Sequence, residues 1–227
     1  MCRCSDRDAA ASEGLTDAGR TLVARAQAFS AQPAKPTRSL LVVGDSTAVG
    51  IGASSPAQSL PGLIAADHPD WRIDNLAVHG ARFEDVVRQL EGAVGQHDLV
   101  LILAGGNDVM RLTGEVELHA RVEEAVALAR RRGRVVALMP CGDVGHAPFF
   151  LPPMSWWMSR RSHLLHEVVA DVAGHTGARY VRLLQPRASD PFAQDPKRMN
   201  AADGLHPSDQ GYRQWYAELQ AQGGLAP

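Results

Sequence analysis

Short apolar runs alternate along the chain with longer amphipathic stretches. Three runs are almost wholly apolar, and two weaker ones share their spacing, so five strands are predicted, at Leu40–Val43, Trp71–Val78, Leu99–Leu103, Val135–Met139 and Tyr180–Leu184. Continuous apolar runs of this kind are typical of parallel strands that are covered on both faces. Amphipathic segments between and after them predict helices at about 57–68, 82–93, 115–132, 160–176 and 208–221. This strict alternation predicts an α/β protein with right-handed crossovers and a three-layer α/β/α sandwich.

Two stretches depart from this alternation. Residues 15–31 have the apolar spacing of a helix, and a proline-containing linker from Gln32 to Thr37 follows. We therefore predict an N-terminal extension over residues 1–38 and a main domain over residues 39–222. Residues 141–159 follow the fourth strand with neither helical nor strand periodicity. Because ligands of open α/β sheets bind at the carboxyl ends of the strands, we expect this long loop to be functional.

A candidate nucleophile and its base stand at opposite ends of the main domain. Ser46 comes three residues after the first apolar run, on a loop rich in small residues. Asp203 and His206 stand three residues apart, just before the last predicted helix. His206 can offer one ring nitrogen to Ser46 and the other to Asp203, which is the arrangement that activates a serine. The alternatives are that Ser46 or Thr47 caps a helix, that Asp203 caps the last helix and that His206 is a surface residue.

Acyl transfer also needs hydrogen-bond donors for the developing oxyanion. Three are available: the backbone N–H of Ser46, the backbone of Gly80 after the second strand, and the side-chain amide of Asn107 after the third. A turn glycine and an Asx-turn would account for Gly80 and Asn107 individually. However, three successive strands end in a nucleophile or donor, and the segment after the fifth supplies the base. This coincidence favours acyl transfer.

Four segments in this order resemble the blocks of the SGNH (GDSL-type) hydrolases. They are Gly44-Asp45-Ser46-Thr47, Gly80, Gly105-Gly106-Asn107-Asp108 and Asp203-Gly204-Leu205-His206. The resemblance spans residues 40–212 and implies a flavodoxin-like order of five parallel strands. It further implies a serine esterase with Ser46 as nucleophile, His206 as base and Asp203 as its partner, and with Ser46, Gly80 and Asn107 forming the oxyanion hole. It implies no metal and no organic cofactor. Thr47 stands where the commonest first block has leucine, and Asp45 and Asp108 are predicted to support their loops.

Composition excludes some partners. The net charge of −2 and the pI near 6.5 give no general attraction to nucleic acid or to an anionic membrane. Three cysteines without a framework spacing suggest a reducing compartment. Residues 1–14 lack the apolar stretch of a signal peptide, and no run reaches the ~18 apolar residues of a membrane span. We therefore expect a cytoplasmic protein without stable membrane insertion, acting on a small-molecule ester.

The large apolar side chains of the 141–159 loop suggest an acyl pocket. If the loop folds over Ser46, they would line or cap it, and aliphatic or aromatic acyl esters, or thioesters, would be favoured over acetylated sugars. Alternatively, these side chains complete the core or form a subunit contact. A carbohydrate O-acetyl esterase or acyltransferase with the same triad, or a non-catalytic protein that binds an acylated ligand, are the other functions considered. The predicted pocket residues are Phe149, Phe150, Leu151, Met154, Trp156, Trp157 and Met158.

Overall fold

The core of the protein is a five-stranded, all-parallel sheet with the strand order β2-β1-β3-β4-β5. The computed structural model describes residues 17–226. The strands are β1 (Arg38–Gly44), β2 (Trp71–Asn75), β3 (His97–Leu103), β4 (Gly133–Leu138) and β5 (Arg179–Tyr180). The helices are α1 (Asp17–Arg25), α2 (Ser46–Val49), α3 (Leu60–Asp67), α4 (Phe83–Gly92), α5 (Gly106–Met110), α6 (Glu115–Arg130), α7 (Met154–Thr176), α8 (Pro191–Gln194), α9 (Pro196–Met199) and α10 (Asp209–Ala221), with 3-10 turns at Pro56–Gln58 and Val144–His146.

The apolar runs form the middle of the sheet, as predicted. β1 lies between β2 and β3, and Leu41 pairs with Asp74 on one side and with Val100 on the other. Residues 40–43 are almost completely buried, because helices cover both faces of the sheet. The predicted three-layer, flavodoxin-like α/β architecture is confirmed.

The two weaker strands are shorter than predicted. β2 ends at Asn75, whose side chain turns back to accept a hydrogen bond from the Ala77 N–H. β5 ends at Tyr180, although the Val181 N–H still donates to the Leu138 carbonyl of β4, and the N–H of Arg182 donates to the side chain of Gln222. The N–H groups of Leu76 and Val78 still donate to β1 beyond Asn75, so backbone hydrogen bonding to the neighbouring strand extends past the regular strand at both edges of the sheet.

Helix α7 begins earlier than the sequence pattern indicates. The prediction of an irregular loop over residues 141–159 is wrong from Met154 onward, since α7 starts there, directly after Pro152 and Pro153. The first two turns of α7 expose Met154, Trp156 and Trp157, which hides the helical periodicity.

The N-terminal segment contacts the edge of the sheet. Helix α1 covers part of the predicted 15–31 stretch, residues 15 and 16 of which lie outside the described residues. Ala31 then pairs with Ile73 in an antiparallel bridge, and the Gln32 side chain donates to Asp74. Among residues 17–226, no helix is long and apolar enough to cross a membrane.

Candidate active site

Ser46 lies at the carboxyl end of β1, where the chain turns abruptly into α2. Gly44 makes the turn possible: it has a φ of +149°, and a Cβ there would lie 1.8 Å from the carbonyl oxygen of Leu103 on β3. The Asp45 carboxylate caps α2 by accepting from the N–H and the hydroxyl of Thr47. Ser46 is the first residue of α2, with its side chain in a cleft. Asp45, not Ser46, is therefore the helix cap.

His206 connects Ser46 to Asp203. Its Nε2 lies 3.0 Å from the Ser46 Oγ, and its Nδ1 lies 2.5 Å from the Asp203 Oδ2. The other carboxylate oxygen of Asp203 accepts from the N–H groups of Leu205 and His206, which fixes the turn. The last helix, α10, is capped by Ser208 instead. The structure thus brings the three predicted residues into one hydrogen-bonded line.

The charge of Asp203 is stabilised where it lies. Burial alone would raise the pKa of the Asp203 carboxyl, but the hydrogen bonds and positive charge of His206, with the two backbone N–H donors, hold that pKa below its usual range. An ionised Asp203 accepts from Nδ1–H and so leaves Nε2 to face the Ser46 hydroxyl. The ring is therefore oriented to take the serine proton.

Asn107 and Gly80 lie near each other beside this line. The Asn107 side chain donates one amide hydrogen to the carbonyl of Ala81, 3.1 Å away, and lines the same cleft as Ser46. Its amide carries a second hydrogen that this bond does not use. Gly80, with a φ of +76°, is buried in the turn before α4, next to Ala81. Gly80 is not among the residues that line the cleft.

Two buried aspartates hold the loops that carry Ser46 and Asn107, as the sequence predicts. Asp108 accepts from the Phe83 N–H and the Thr113 hydroxyl and so joins the Asn107 loop to α4. Burial raises the pKa of Asp108 to about 6, against these hydrogen bonds and the charge of Arg82. Burial also raises the pKa of Asp45, against its bonds to Thr47. Both carboxyls are fixed parts of the scaffold.

The cleft at Ser46 encloses about 650 Å³, including its open mouth. Its wall is largely apolar, with three carboxylates, those of Asp45, Asp143 and Asp190, in it. Sequence reasoning missed most of this wall, because its aromatic members come from short segments after β5 and from α10, where no pattern marks them. The apolar lining residues are Met110, Cys141, Val144, Ala147, Leu183, Phe192, Leu205, Pro207 and Trp215.

The apolar residues of the predicted pocket lie elsewhere. None of Phe149, Phe150, Leu151, Met154, Trp156, Trp157 and Met158 lines the cleft at Ser46. Met158 is buried in the core, and Phe149 donates its N–H to the carbonyl of Gly204. Phe150, Leu151 and Trp156 line a second, more open groove, which borders the cleft at Asp143 and Ala147.

A buried histidine separates the cleft from this outer groove. The Nδ1 of His146 lies 2.5 Å from the Asp190 Oδ2, and its Nε2 lies 3.5 Å from the Asp143 Oδ2. Asp143 also accepts from the Gly145 N–H, and Asp190 from the Phe192 N–H. These contacts tie the loop after β4 to the loop before α8. His146 therefore fixes one end of the cleft wall.

Comparison with known proteins identifies a family. Residues 42–214 match the model of the GDSL-like Lipase/Acylhydrolase family. The chain belongs to this family. A relative, the GDSL-like esterase Rv1075c of Mycobacterium tuberculosis (strain ATCC 25618 / H37Rv), is 30% identical over 185 residues, which cover 76% of this chain. The aligned region spans 57% of that relative, so the GDSL-type chain corresponds to somewhat more than half of its length.

Solved structures share the GDSL-type fold. A member of the lipolytic protein G-D-S-L family from Veillonella parvula DSM 2008 superimposes with a TM-score of 0.65 at 14% identity, over 81% of this chain and 96% of that one. Axe2, an acetylxylan esterase from Geobacillus stearothermophilus, gives a TM-score of 0.60 at 21% identity, over 85% and 97%. At these identities the likeness concerns the fold alone.

Proposed function

We propose that this GDSL-type protein is a serine esterase that acts through an acyl-enzyme on Ser46. The observation that carries the proposal is the hydrogen-bonded line from Ser46 through His206 to Asp203, with distances of 3.0 and 2.5 Å. His206 Nε2 takes the Ser46 proton as the serine oxygen attacks the ester carbonyl. Asp203 stabilises the imidazolium that forms, because its carboxylate already accepts from Nδ1.

The tetrahedral intermediate then collapses by known steps. Imidazolium His206 gives its proton to the leaving alcohol, and the acyl group remains on the Ser46 oxygen. Water then attacks the acyl carbonyl as it loses a proton to His206. The second tetrahedral intermediate breaks its bond to the Ser46 oxygen, which takes that proton back from His206, and the carboxylic acid leaves. The chain's own residues supply every group that these steps require.

The oxyanion is held by the Ser46 N–H, the Gly80 N–H and the second amide hydrogen of Asn107. Support for Asn107 comes from its place in the cleft and from its bond to Ala81, which orients the amide. Loss of one such donor typically lowers kcat by about 10²–10³. Gly80 contributes by its position in the adjoining turn, where a positive φ turns the backbone.

The preferred substrate is a carboxylic ester or thioester with an aliphatic or aromatic acyl group. The apolar wall of the cleft, which includes Val144, Ala147, Phe192 and Trp215, supports this class. A sugar O-acetyl ester, for hydrolysis or for acyl transfer, is the second candidate. It is supported by the shared fold of Axe2, an acetylxylan esterase.

Hydrolysis of p-nitrophenyl esters from acetate to decanoate by the wild type and by Ser46→Ala tests the proposal. We expect activity that disappears in Ser46→Ala, together with labelling of Ser46 by a fluorophosphonate, detected by mass spectrometry. Turnover of acetylated sugars but not of aryl esters would select the second candidate. Activity that survives in Ser46→Ala would refute the assignment of the nucleophile. A protein that hydrolyses none of these esters and takes up no label would be a binding protein.

A further inference from the structure

Large apolar side chains are concentrated on one exposed surface. Of the nine exposed large hydrophobic residues in the described part of the chain, four fall between residues 151 and 157. Leu151 is 75% exposed, Trp156 70% and Trp157 56%, whereas Trp71 and Trp215 are buried. Isolated exposed apolar residues are ordinary, but a cluster with two tryptophans marks an interaction site. We define the edge patch as Leu112, Leu151, Met154, Trp156 and Trp157.

The members of the edge patch are neighbours in space. Met154 and Trp157 stand three residues apart on α7, and the carbonyl of Leu151 accepts from the Ser155 N–H at the start of that helix. Arg161, one turn after Trp157, donates to the carbonyl of Thr113, the residue after Leu112. This bond joins the loop after α5 to the first turns of α7.

The surroundings of the edge patch are basic. Residues 144–166 contain Arg160 and Arg161 and no aspartate or glutamate, and Arg111 adjoins Leu112. Arg111 and Arg160 are exposed. Asp108, three residues before Arg111, is buried. The nearest exposed acidic side chains in sequence are Glu115 and Glu117 in the first turn of α6, of which Glu117 lies 4.0 Å from Arg82. The rim of the patch thus carries a positive charge that the protein's overall charge of −2 conceals.

The patch lies at the same edge of the sheet as the cleft. The loops that carry it follow β3 and β4 at their carboxyl ends, as the Ser46 turn follows β1. The outer groove, lined by Leu151 and Trp156, borders the cleft at Asp143 and Ala147. A surface in contact with the edge patch would therefore lie beside the mouth of the cleft.

We propose that the edge patch docks the protein on the surface of an anionic lipid bilayer. Indole rings favour the boundary between headgroups and acyl chains, and exposed leucine and methionine side chains gain by burial there. Arg111 and Arg160 would face the lipid phosphates. A second copy of the chain fits the patch less well. A two-fold contact through the patch would bring the Arg160 of one copy near the Arg160 of the other, and these like charges repel.

Vesicle co-sedimentation of the full chain tests this proposal directly. Wild type should bind vesicles of phosphatidylglycerol and phosphatidylcholine, bind pure phosphatidylcholine more weakly, and dissociate as NaCl rises. The double variant Trp156→Ser/Trp157→Ser should bind these vesicles at least about tenfold more weakly than wild type, since two anchoring rings are lost. Val94→Ser, an exposed apolar residue before β3, is the matched control and should bind as wild type does. Circular dichroism and thermal unfolding establish that each variant is folded.

Tryptophan fluorescence gives an independent measure of contact. Because Trp71 and Trp215 are buried, a blue shift of the emission and its quenching by brominated lipid should come from Trp156 and Trp157. The single variants Trp156→Phe and Trp157→Phe show how much of the fluorescence change comes from each ring. Absence of binding to either vesicle, or equal binding by the double serine variant, would overturn the proposal. A dimer seen by sedimentation velocity and lost in that variant would assign the patch to a second copy and also overturn it. None of these readouts depends on esterase activity, so each proposal can fail alone.

Discussion

Two buried groups near the cleft should make the stability of this protein depend on pH in opposite directions. Burial raises the pKa of Asp108 from 3.8 to about 6. Burial lowers the pKa of His166 from 6.5 to about 4, against its hydrogen bond to the Cys141 carbonyl, with smaller contributions from nearby cations. Both side chains are at most 3% exposed, so solvent screens neither effect much.

The two contributions are similar in size. One pKa unit corresponds to 1.36 kcal/mol, so the shift of Asp108 is worth about 3 kcal/mol of unfolding free energy. Because the folded-state pKa of Asp108 is raised, that stability is present below pH 3.8 and lost as the pH rises through about 6. The shift of His166 is also worth about 3 kcal/mol, present above pH 6.5 and lost as the pH falls through about 4. Between about pH 4 and pH 6.5, the stability lost at Asp108 as the pH rises is largely offset by the stability gained at His166.

Removing one of the two groups should reveal the pH dependence of stability that the other contributes. In Asp108→Asn the amide oxygen still accepts from the Phe83 N–H, and no charge forms at this buried position. We expect the unfolding free energy of Asp108→Asn, minus that of wild type, to increase by up to about 3 kcal/mol between pH 4 and pH 7. For His166→Gln the corresponding difference should increase by a similar amount as the pH falls over the same range.

Urea unfolding of the three proteins at five pH values between 4 and 7.5 measures these differences. Subtracting the unfolding free energy of wild type from that of each variant at the same pH cancels the contributions of groups that titrate in both proteins. A difference that stays constant with pH for either variant, or slopes of the same sign for the two, would refute the reasoning. The absolute stability of each variant does not enter the test, so a loss of packing at one site leaves the slopes interpretable.

Three further predictions concern the cleft and its scaffold. Asp203→Asn should lower kcat for p-nitrophenyl acetate by on the order of 10⁴ and leave KM nearly unchanged, because the amide no longer holds the tautomer of His206; a loss under tenfold would contradict this. Gly44→Ala should lower the unfolding free energy by about 4 kcal/mol or more, since its Cβ meets the Leu103 carbonyl, and thermal unfolding close to that of wild type would disprove the clash. Ala147→Phe should lower kcat/KM for decanoate far more than for acetate, and an unchanged ratio would remove Ala147 from the acyl wall.

The central strands could be predicted from the sequence because their environment is uniform. Residues 40–43 and 99–103 are covered on both faces, so every position is apolar and the run is unmistakable. The start of α7 could not be predicted, because Trp156 and Trp157 are exposed and break the expected alternation. β5 is only two residues long, and the chain after it lies against the end of α10, where the Gln222 side chain accepts from the Arg182 N–H. Such tertiary contacts leave no local pattern.

Some residues of the candidate site could be predicted from the sequence, and others could not. Ser46, Asn107 and His206 could be predicted because backbone turns demand particular residues around them, such as Gly44. The wall of the cleft could not, because Phe192 and Trp215 reach it from segments whose sequence carries no signal for a ligand. Placing the aromatic residues of the 141–159 loop in an acyl pocket required a loop path that only the folded structure defines.

The distance along the chain between Ser46 and His206 has a consequence for folding. The hydrogen bond between Ser46 and His206 joins positions 160 residues apart. Because closing so long a loop costs chain entropy, we expect this contact to form late, after the sheet has ordered the Ser46 turn. During refolding, recovery of turnover should therefore lag behind recovery of helical circular dichroism. Recovered turnover would therefore indicate that the C-terminal part of the polypeptide, which carries His206, has folded.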